Sequence, residues 1–254
     1  DSIYNCISPK VLIAGCGTGQ QSIEAGSRLQ NSKILAIDLS LASLSYAIRK
    51  TNEFGLTNVE YMQADILDLY DLDQKFDVIE CCGVLHHMDN PFKGWQVLAN
   101  CLKPGGLMKV ALYSKSARGF VTEVRKEILK LGINFDSASI KRFRQMIIES
   151  EEQRHKSVQS FADFYCLSEL RDLLFHIKEH QFTIPEIEHL LSRLELDFCG
   201  FESDRVLNAF TSQNPLHDSL YNLNAWSVFE SKNLDIFSGM YQFWCQKRDD
   251  TASL

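Results

Sequence analysis

A glycine-rich loop between a predicted strand and a predicted helix most constrains what this chain can fold into. The strand is the apolar run from Val11 to Ala14, which is typical of a buried strand. The helix is predicted from Gln20 to Leu29. The loop between them has a glycine at every second position: Gly15, Gly17 and Gly19. A strand, a glycine loop and a helix in this order are the layout of a nucleotide-binding α/β fold.

The spacing of these glycines differs from that of the dinucleotide-binding fingerprint. That fingerprint has its third glycine three residues after the second, a position that Gln20 occupies here. A Gly-x-Gly-x-Gly loop instead lets the backbone pass flat beneath a ligand, because no Cβ intrudes and a positive φ is allowed. The spacing therefore argues against a nicotinamide-dependent oxidoreductase, the main competitor within this fold.

Four more strand patterns follow in the first half of the chain, and helical patterns separate them. The strands, the fourth given with its outgoing loop, are Lys33–Asp38, Asn58–Gln63, Phe76–Met88 and Leu107–Tyr113. A helix is predicted over Leu41–Phe54, and the Pro104-Gly105-Gly106 run predicts a tight turn before the fifth strand. Strands that alternate with helices imply a mostly parallel sheet covered by helices on both faces.

Two acids stand where the second and third predicted strands end. In folds of this kind an acid at the position of Asp38 accepts hydrogen bonds from ribose hydroxyls. The alternative is that Asp38 caps the next helix, but Ser40 is the better N-cap residue. Asp65 follows the third strand, and its alternative role is that of an ordinary turn aspartate.

The glycine loop, the two acids and the segment Phe76–Met88 with its paired histidines together resemble the class I S-adenosylmethionine-dependent methyltransferases. The resemblance implies a Rossmann-like sheet of seven strands, mostly parallel with the last strand antiparallel. It implies S-adenosyl-L-methionine as cofactor and S-adenosyl-L-homocysteine as product, with Asp65 and Ile66 at the adenine ring. The cofactor-binding residues implied in this way are Gly15, Cys16, Gly17, Thr18, Gly19, Asp38, Leu39, Asp65, Ile66, Cys82 and Gly83.

The second half of the chain departs from a minimal member of that family. About seventy residues, 114–182, stand where a single helix is expected, and their pattern predicts a mostly helical lid. Thr183-Ile184-Pro185-Glu186 then predicts a capping box at the start of a helix. Leu196–Phe201 and Met240–Gln246 resemble the sixth and seventh strands. The prediction is one methyltransferase domain over 1–254, with the insertion at about 114–182.

Candidate catalytic residues are predicted in the insertion and after the fourth strand. A helix over Glu169–His180, capped by Ser168, would place Asp172, His176 and His180 on one face. That face is either a polar strip aimed at the active site, with a general base or even a metal ligand, or a solvated Asp–His pair, and the second interpretation is favoured. His86 and His87 could each touch substrate, but for each of them a packed role is favoured over a catalytic one. The candidates are His176, His180, Tyr165 and His86, and no metal is predicted.

Composition limits the partners and the compartment. The net charge of −7 at 254 residues argues against a nucleic-acid backbone as main partner, and no apolar run approaches the ~20 residues of a membrane span. Eight cysteines without a C-x-x-C pair indicate reduced thiols and a cytoplasmic location. No oligomeric state is predicted.

Three functions stay open at this point. The first is methyl transfer to an unidentified acceptor, for which a small molecule is favoured. The second is a protein or peptide methyltransferase recruited by an upstream module, because the segments FYCLSELRDLLFHIKEHQF and QFWCQK resemble methyltransferases that follow tetratricopeptide repeats in bacterial proteins. The abrupt start before the first strand agrees with the C-terminal part of a longer chain. The third is a non-catalytic cofactor-binding domain.

Overall fold

Seven strands form one twisted sheet in the computed structural model, which describes residues 8–29, 31–175 and 179–249. The order across the sheet is β3-β2-β1-β4-β5-β7-β6. The strands are β1 Lys10–Ala14, β2 Lys33–Asp38, β3 Val59–Gln63, β4 Phe76–Cys82, β5 Leu102–Leu112, β6 Leu196–Phe201 and β7 Tyr241–Lys247. β1 to β5 pair in parallel, and β7 is antiparallel to both of its neighbours. The predicted fold is therefore confirmed.

Ten α-helices connect these strands within the described ranges. They are α1 Gln20–Arg28, α2 Leu41–Glu53, α3 Pro91–Cys101, α4 Gly119–Leu131, α5 Ser137–Glu149, α6 Gln153–Gln159, α7 Leu167–Phe175, α8 Ile184–Arg193, α9 Asp204–Thr211 and α10 Leu223–Lys232. The predicted caps are present: the Ser40 hydroxyl accepts from the Ser43 amide at the start of α2, and the Thr183/Glu186 capping box begins α8. None of the helices described is long and apolar enough to cross a bilayer.

Alternate residues of the central strands face two separate hydrophobic layers, as the two-residue period of a strand requires. Val11 and Ile13 pack towards α1 and α2. Leu12 and Ala14 belong to the larger core on the other face, which contains the fully buried Trp95 of α3 and further side chains of α8, α9 and α10. Helices thus cover both faces of the sheet, and the carboxyl edge of the parallel strands stays accessible to a ligand.

Helices α4 to α7 form a helical lobe with a hydrophobic core of its own, which includes Val121, Phe143 and Leu174. The chain leaves the sheet for the lobe at Ser114 and returns at Phe182, where the two residues form a parallel bridge. The Lys115 amide donates to the Phe182 carbonyl at 2.8 Å. The lobe is therefore attached at the carboxyl end of β5.

The predicted helix over Glu169–His180 is wrong at both of its ends. It begins at Leu167, so Ser168 lies inside α7 and does not cap it. The described part of α7 reaches Phe175, and the Arg125 guanidinium donates to the Leu173 carbonyl at 2.7 Å. His180 lies outside the helix, so the predicted face shared with Asp172 does not form.

One predicted strand boundary and one unpredicted helix also differ from the structure. β5 begins at Leu102 and contains the Pro-Gly-Gly run, which the sequence predicts as a turn before the strand. The register between β4 and β5 shifts in this region, so the run makes a bulge and not a reversal. The helix α9, Asp204–Thr211, was missed entirely.

Candidate active site

A cleft of about 540 Å³ opens at the carboxyl edge of the sheet, above the ends of β1, β2, β3 and β4. This is the point where the strand order reverses on either side of β1, which is where open α/β sheets bind ligands. Six of the predicted cofactor residues line the cleft: Gly15, Asp38, Leu39, Asp65, Ile66 and Gly83. The loops that follow these four strands converge on it.

Asp38 connects the glycine loop to the end of β2. Its Oδ2 accepts the Gly17 amide proton at 2.8 Å, and its Oδ1 accepts that of Ser40 at 2.9 Å. The amides of Gly15 and Cys16 both donate to the Ile37 carbonyl, at 2.8 and 2.9 Å. The acid predicted to bind a ribose therefore also holds the loop in place, a role that the sequence analysis did not assign to it.

The glycines of the loop serve different purposes. A Cβ at Gly15 would collide with the side chain of Val84, and φ is +79° there, so both space and conformation require glycine. A Cβ at Gly19 would lie 2.7 Å from the Cβ of Ala47 on α2. A Cβ at Gly17 or Gly83 would meet no atom within 4 Å. These last two positions therefore present bare backbone to open space.

The remaining predicted cofactor residues do not line the cleft: Cys16, Gly17, Thr18, Gly19 and Cys82. Burial, together with the charge of Asp38, raises the pKa of the Cys16 thiol to about 11. Burial likewise raises the pKa of Cys82 to about 11. Both side chains are neutral thiols at pH 7, so neither is a nucleophile.

Asp65 begins a short 3₁₀ helix, Ile66–Asp71, at the end of β3. Its Oδ1 accepts the Leu67 amide proton at 2.9 Å. The cap holds Ile66, which is 6% exposed, at the cleft wall. The turn role weighed as the alternative for Asp65 is thus present, and it is compatible with the predicted contact to adenine because both functions use the same loop edge.

The loop after β4 puts His87, and not His86, on the wall of the cleft. His86 is fully buried, and its ring centroid lies 4.0 Å from that of Tyr113 and 4.3 Å from that of His87. The sequence analysis weighed both histidines and listed His86 as the candidate, because adjacent histidines in an irregular turn carry no periodic signal that separates them. The other cleft residues that it did not list are Ile37, Ala64, Leu67, Val84, Met88, Asp89, Asn90 and Lys93.

The four predicted catalytic residues are not brought together. Tyr165 is 65% exposed on the helical lobe and packs edge-on against Phe164. His180 lies beside the cleft, where its amide donates to the His86 carbonyl at 2.8 Å. His176 falls outside the described residues. Of the three candidates that the structure describes, His180 and His86 lie near the cleft and Tyr165 does not.

A buried ion pair joins the helical lobe to this region. Arg118 and Glu179 are 2% and 1% exposed, their closest charged atoms lie 3.1 Å apart, and Arg125 Nη2 lies 2.7 Å from the same carboxylate. Burial by itself raises the pKa of Glu179, but the two guanidinium groups outweigh it and keep this pKa below its usual value. The Arg118 guanidinium also lies 3.7 Å from the centre of the Tyr113 ring. A continuous stack thus runs from Arg118 through Tyr113 and His86 to His87.

A second cavity of about 520 Å³ adjoins the cleft, and Asn90 lines both. We call it the lateral groove. It lies between the start of α3, the returning segment 180–182 and the first turns of α8. Its walls are Asn90, Pro91, Phe92, His180, Gln181, Phe182, Pro185, Glu186, His189 and Leu190.

Comparisons with known proteins identify the part of the chain that carries the cleft. Residues 11–106 match the family model of a methyltransferase domain. An uncharacterized protein of Synechococcus sp. is 28% identical over 244 residues, which cover 87% of this chain and 56% of that protein. The ubiquinone biosynthesis O-methyltransferase of Marinobacter nauticus is 31% identical over 124 residues, 48% of this chain and 51% of that enzyme.

The structure of Rickettsia typhi PKMT2 in complex with AdoHcy superposes with a TM-score of 0.67 at 18% identity, over 95% of this chain and 49% of that one. The chain thus spans about half the length of the relatives that it matches. The matched segment contains the glycine loop, both acids and Gly83. Residues 11–106 therefore match a methyltransferase domain, the kind of domain for which the sequence analysis expects S-adenosyl-L-methionine as cofactor.

The cleft fits this cofactor. Carboxylates stand at the ends of β2 and β3, where they can accept hydrogen bonds from ribose hydroxyls and an adenine amino group. The wall is otherwise largely apolar, with Ile37, Ile66 and Leu67, as a flat ring requires.

Proposed function

We propose that this chain transfers the methyl group of S-adenosylmethionine to a small-molecule acceptor whose nucleophile gives up a proton. The observation that carries the proposal is the convergence of four loops on one cleft at the reversal of strand order. Asp38, Asp65 and Gly83 contribute to it from the ends of β2, β3 and β4. The alternatives are a peptide acceptor delivered by an upstream repeat module and a domain that binds the cofactor without catalysis.

Each residue has a stated role in this proposal. Asp38 binds the ribose hydroxyls, Asp65 and Ile66 bind the adenine, and the bare backbone at Gly83 accommodates the methionine part. The cofactor supplies a methyl group on a positively charged sulfur, which is already activated for displacement. The protein mainly aligns the acceptor and excludes water, so proximity supplies most of the catalysis.

His87 is the proposed proton acceptor. An amine or hydroxyl that attacks the methyl group must lose a proton, and neutral imidazole can take it near pH 7. His87 lines the cleft, whereas His86 lies behind it against Tyr113. The Arg118–Tyr113–His86 stack positions the His87 ring and does not itself touch the acceptor.

The first test is calorimetric titration of the protein with S-adenosylhomocysteine, with NADH as control. We expect S-adenosylhomocysteine to bind in the micromolar range or tighter and NADH not to bind. The second step incubates the protein and methyl-labelled S-adenosylmethionine with the low-mass and the protein fractions of an extract of the source organism.

The location of the label separates the three functions. Label in a low-mass product supports the proposal, and label in protein supports the peptide alternative. Tight S-adenosylhomocysteine binding without any labelled product supports the non-catalytic alternative. Failure to bind S-adenosylhomocysteine contradicts all three, because each of them requires the cofactor site.

A further inference from the structure

The lateral groove has fixed walls. On one side the Phe182 amide donates to the Tyr113 carbonyl at 2.9 Å, next to the bond between the His180 amide and the His86 carbonyl. On the other side the Glu186 Oε2 accepts from the Thr183 amide at 2.7 Å and from its hydroxyl at 2.9 Å. The groove is therefore formed before any ligand enters it, which lowers the entropic cost of binding.

The surface of the groove combines aromatic, apolar and basic groups. Phe92, Phe182 and Leu190 supply its apolar area. The Arg193 guanidinium lies 4.0 Å from the centre of the Phe92 ring, at the edge of the groove. The carboxylate in the wall, that of Glu186, is already engaged in the capping box.

Arg193 supplies a positive charge at the edge of the groove, and Glu186 is the one carboxylate among the groove's lining residues. Among the described residues, Arg193 has no carboxylate within ion-pair distance. His180 and His189 also line the groove. Such a surface suits a planar ligand with an anionic group, since a guanidinium binds a carboxylate with two parallel hydrogen bonds.

We infer that the lateral groove binds the methyl acceptor, and that this acceptor is an aromatic hydroxy acid. Its ring packs between Phe92, Phe182 and Leu190, and its carboxylate binds Arg193. Its hydroxyl points past Asn90, the residue common to groove and cleft, towards His87. The inference rests on the proposed function, which it extends by naming the acceptor's chemical class.

The reaction balances without any further reactant. The hydroxyl oxygen forms a bond to the methyl carbon, and the bond between that carbon and the sulfonium sulfur breaks. The hydroxyl proton passes to the His87 imidazole and from there to solvent. The products are an aryl methyl ether and neutral S-adenosylhomocysteine.

The test uses 4-hydroxyphenylacetate as probe, titrated by calorimetry into the protein with and without saturating S-adenosylhomocysteine. The comparison probes are 4-methylphenol, which lacks the carboxylate, and cyclohexylacetate, which lacks the aromatic hydroxyl. We expect 4-hydroxyphenylacetate to bind more tightly than either. With S-adenosylmethionine present, mass spectrometry should detect 4-methoxyphenylacetate.

Two groove variants and one matched control decide where the probe binds. Arg193→Gln should weaken 4-hydroxyphenylacetate about tenfold, as loss of a charge-assisted hydrogen bond does, and should leave 4-methylphenol unchanged. Leu190→Trp should block both probes. Arg49→Gln is the control, because Arg49 also lies over an aromatic ring, 5.0 Å from the centre of Tyr46, but on α2. All three variants should bind S-adenosylhomocysteine as wild type does.

The inference is overturned if 4-hydroxyphenylacetate fails to bind while S-adenosylhomocysteine binds, or if Arg193→Gln and Arg49→Gln have equal effects. In either case the proposed function survives. Failure of S-adenosylhomocysteine to bind while the probe binds in an Arg193-dependent manner supports the groove as a ligand site and contradicts the proposed function.

Discussion

At the scale of single residues, Asp38 has one observed task, as a hydrogen-bond acceptor for the glycine loop, and one proposed task, in ribose binding. Its carboxylate accepts the amide protons of Gly17 and Ser40, and it stands at the cleft wall where a ribose would lie. A carboxylate has lone pairs for both tasks, since each oxygen accepts two hydrogen bonds. Substitution at this position therefore changes ligand binding and the local fold together.

We expect Asp38→Ala to weaken S-adenosylhomocysteine binding by at least about tenfold and to lower the free energy of unfolding by about 1–3 kcal/mol, because two amides lose their acceptor. Asp38→Asn keeps one acceptor oxygen and should lose less stability but as much affinity. Calorimetry and urea unfolding measure the two effects.

Asp73→Asn is the matched control for Asp38, since Asp73 is an exposed acid after the 3₁₀ helix. Asp73→Asn should change neither the affinity for S-adenosylhomocysteine nor the free energy of unfolding. Wild-type affinity in a folded Asp38→Ala protein would show that the ribose assignment is wrong.

At the scale of elements, two buried glutamates connect segments that are distant in sequence. Glu179 joins the segment that returns from the helical lobe to α4 through Arg118 and Arg125. Glu230 of α10 accepts the Ser114 hydroxyl at 2.9 Å and the Tyr241 hydroxyl at 2.6 Å, so it joins α10 to the ends of β5 and β7. Glu179 is paired with cations and Glu230 with neutral donors. Their contributions to the free energy of unfolding should therefore depend on pH in opposite directions.

Glu179→Gln should destabilise the protein by about 3–5 kcal/mol, because it leaves the buried Arg118 without its counter-charge. The folded pKa of Glu179 is lowered, so its contribution is present above the unfolded pKa and is lost as the pH falls through the folded value. Urea unfolding between pH 3 and 7 measures both effects.

Glu53→Gln is the control for Glu179, because Glu53 pairs with Lys50 at the surface. Its loss should change the free energy of unfolding little. Equal losses in the two variants would contradict the buried ion pair as the connection between the lobe and the sheet.

Glu230→Gln tests the opposite sign. Burial raises the pKa of Glu230, and the hydrogen bonds from Tyr241 and Ser114 only partly offset this. The stability that it contributes is therefore full below the unfolded pKa and declines as the pH rises through the raised folded value.

The neutral amide keeps an acceptor oxygen and has no charge to bury. We expect Glu230→Gln to unfold at a higher temperature than wild type at pH 8, with the gain disappearing towards pH 4. A thermal melting series checks this, and a constant difference across the pH range would show that Glu230 does not titrate.

At the scale of the whole molecule, the helical lobe and the sheet have separate hydrophobic cores and meet beside the cleft. The attachment is at Ser114 and Phe182, at the carboxyl end of β5. The lateral groove lies next to this attachment because segment 180–182 forms one of its walls. The groove therefore lies where the lobe is attached to the sheet.

Ligand binding should stabilise the folded molecule as a whole. S-adenosylhomocysteine at 100 times its dissociation constant should add about 2.7 kcal/mol, which for a domain of this size raises Tm by roughly 5–10 °C. NADH at the same concentration should leave Tm unchanged. A rise in Tm that Asp38→Ala retains in full would place the binding site elsewhere.

The sequence by itself determined the sheet, the glycine loop and the acids at the strand ends. These features are contiguous, and each follows from local periodicity or from a motif of a few residues. The β-strands match their predicted positions within a few residues, apart from the bulged start of β5. The capping residues Ser40 and Thr183 were equally predictable from the sequence, since a cap bonds to amides two or three residues away.

Only the tertiary structure decided which side chains meet at the cleft and the groove. His86 and His87 are neighbours in the chain, and a short irregular turn sends one into the core and the other to the cleft. Arg125, from another helix, binds both the Leu173 carbonyl of α7 and the buried Glu179 carboxylate. Contacts between residues far apart in sequence set these outcomes, and no local pattern encodes such contacts.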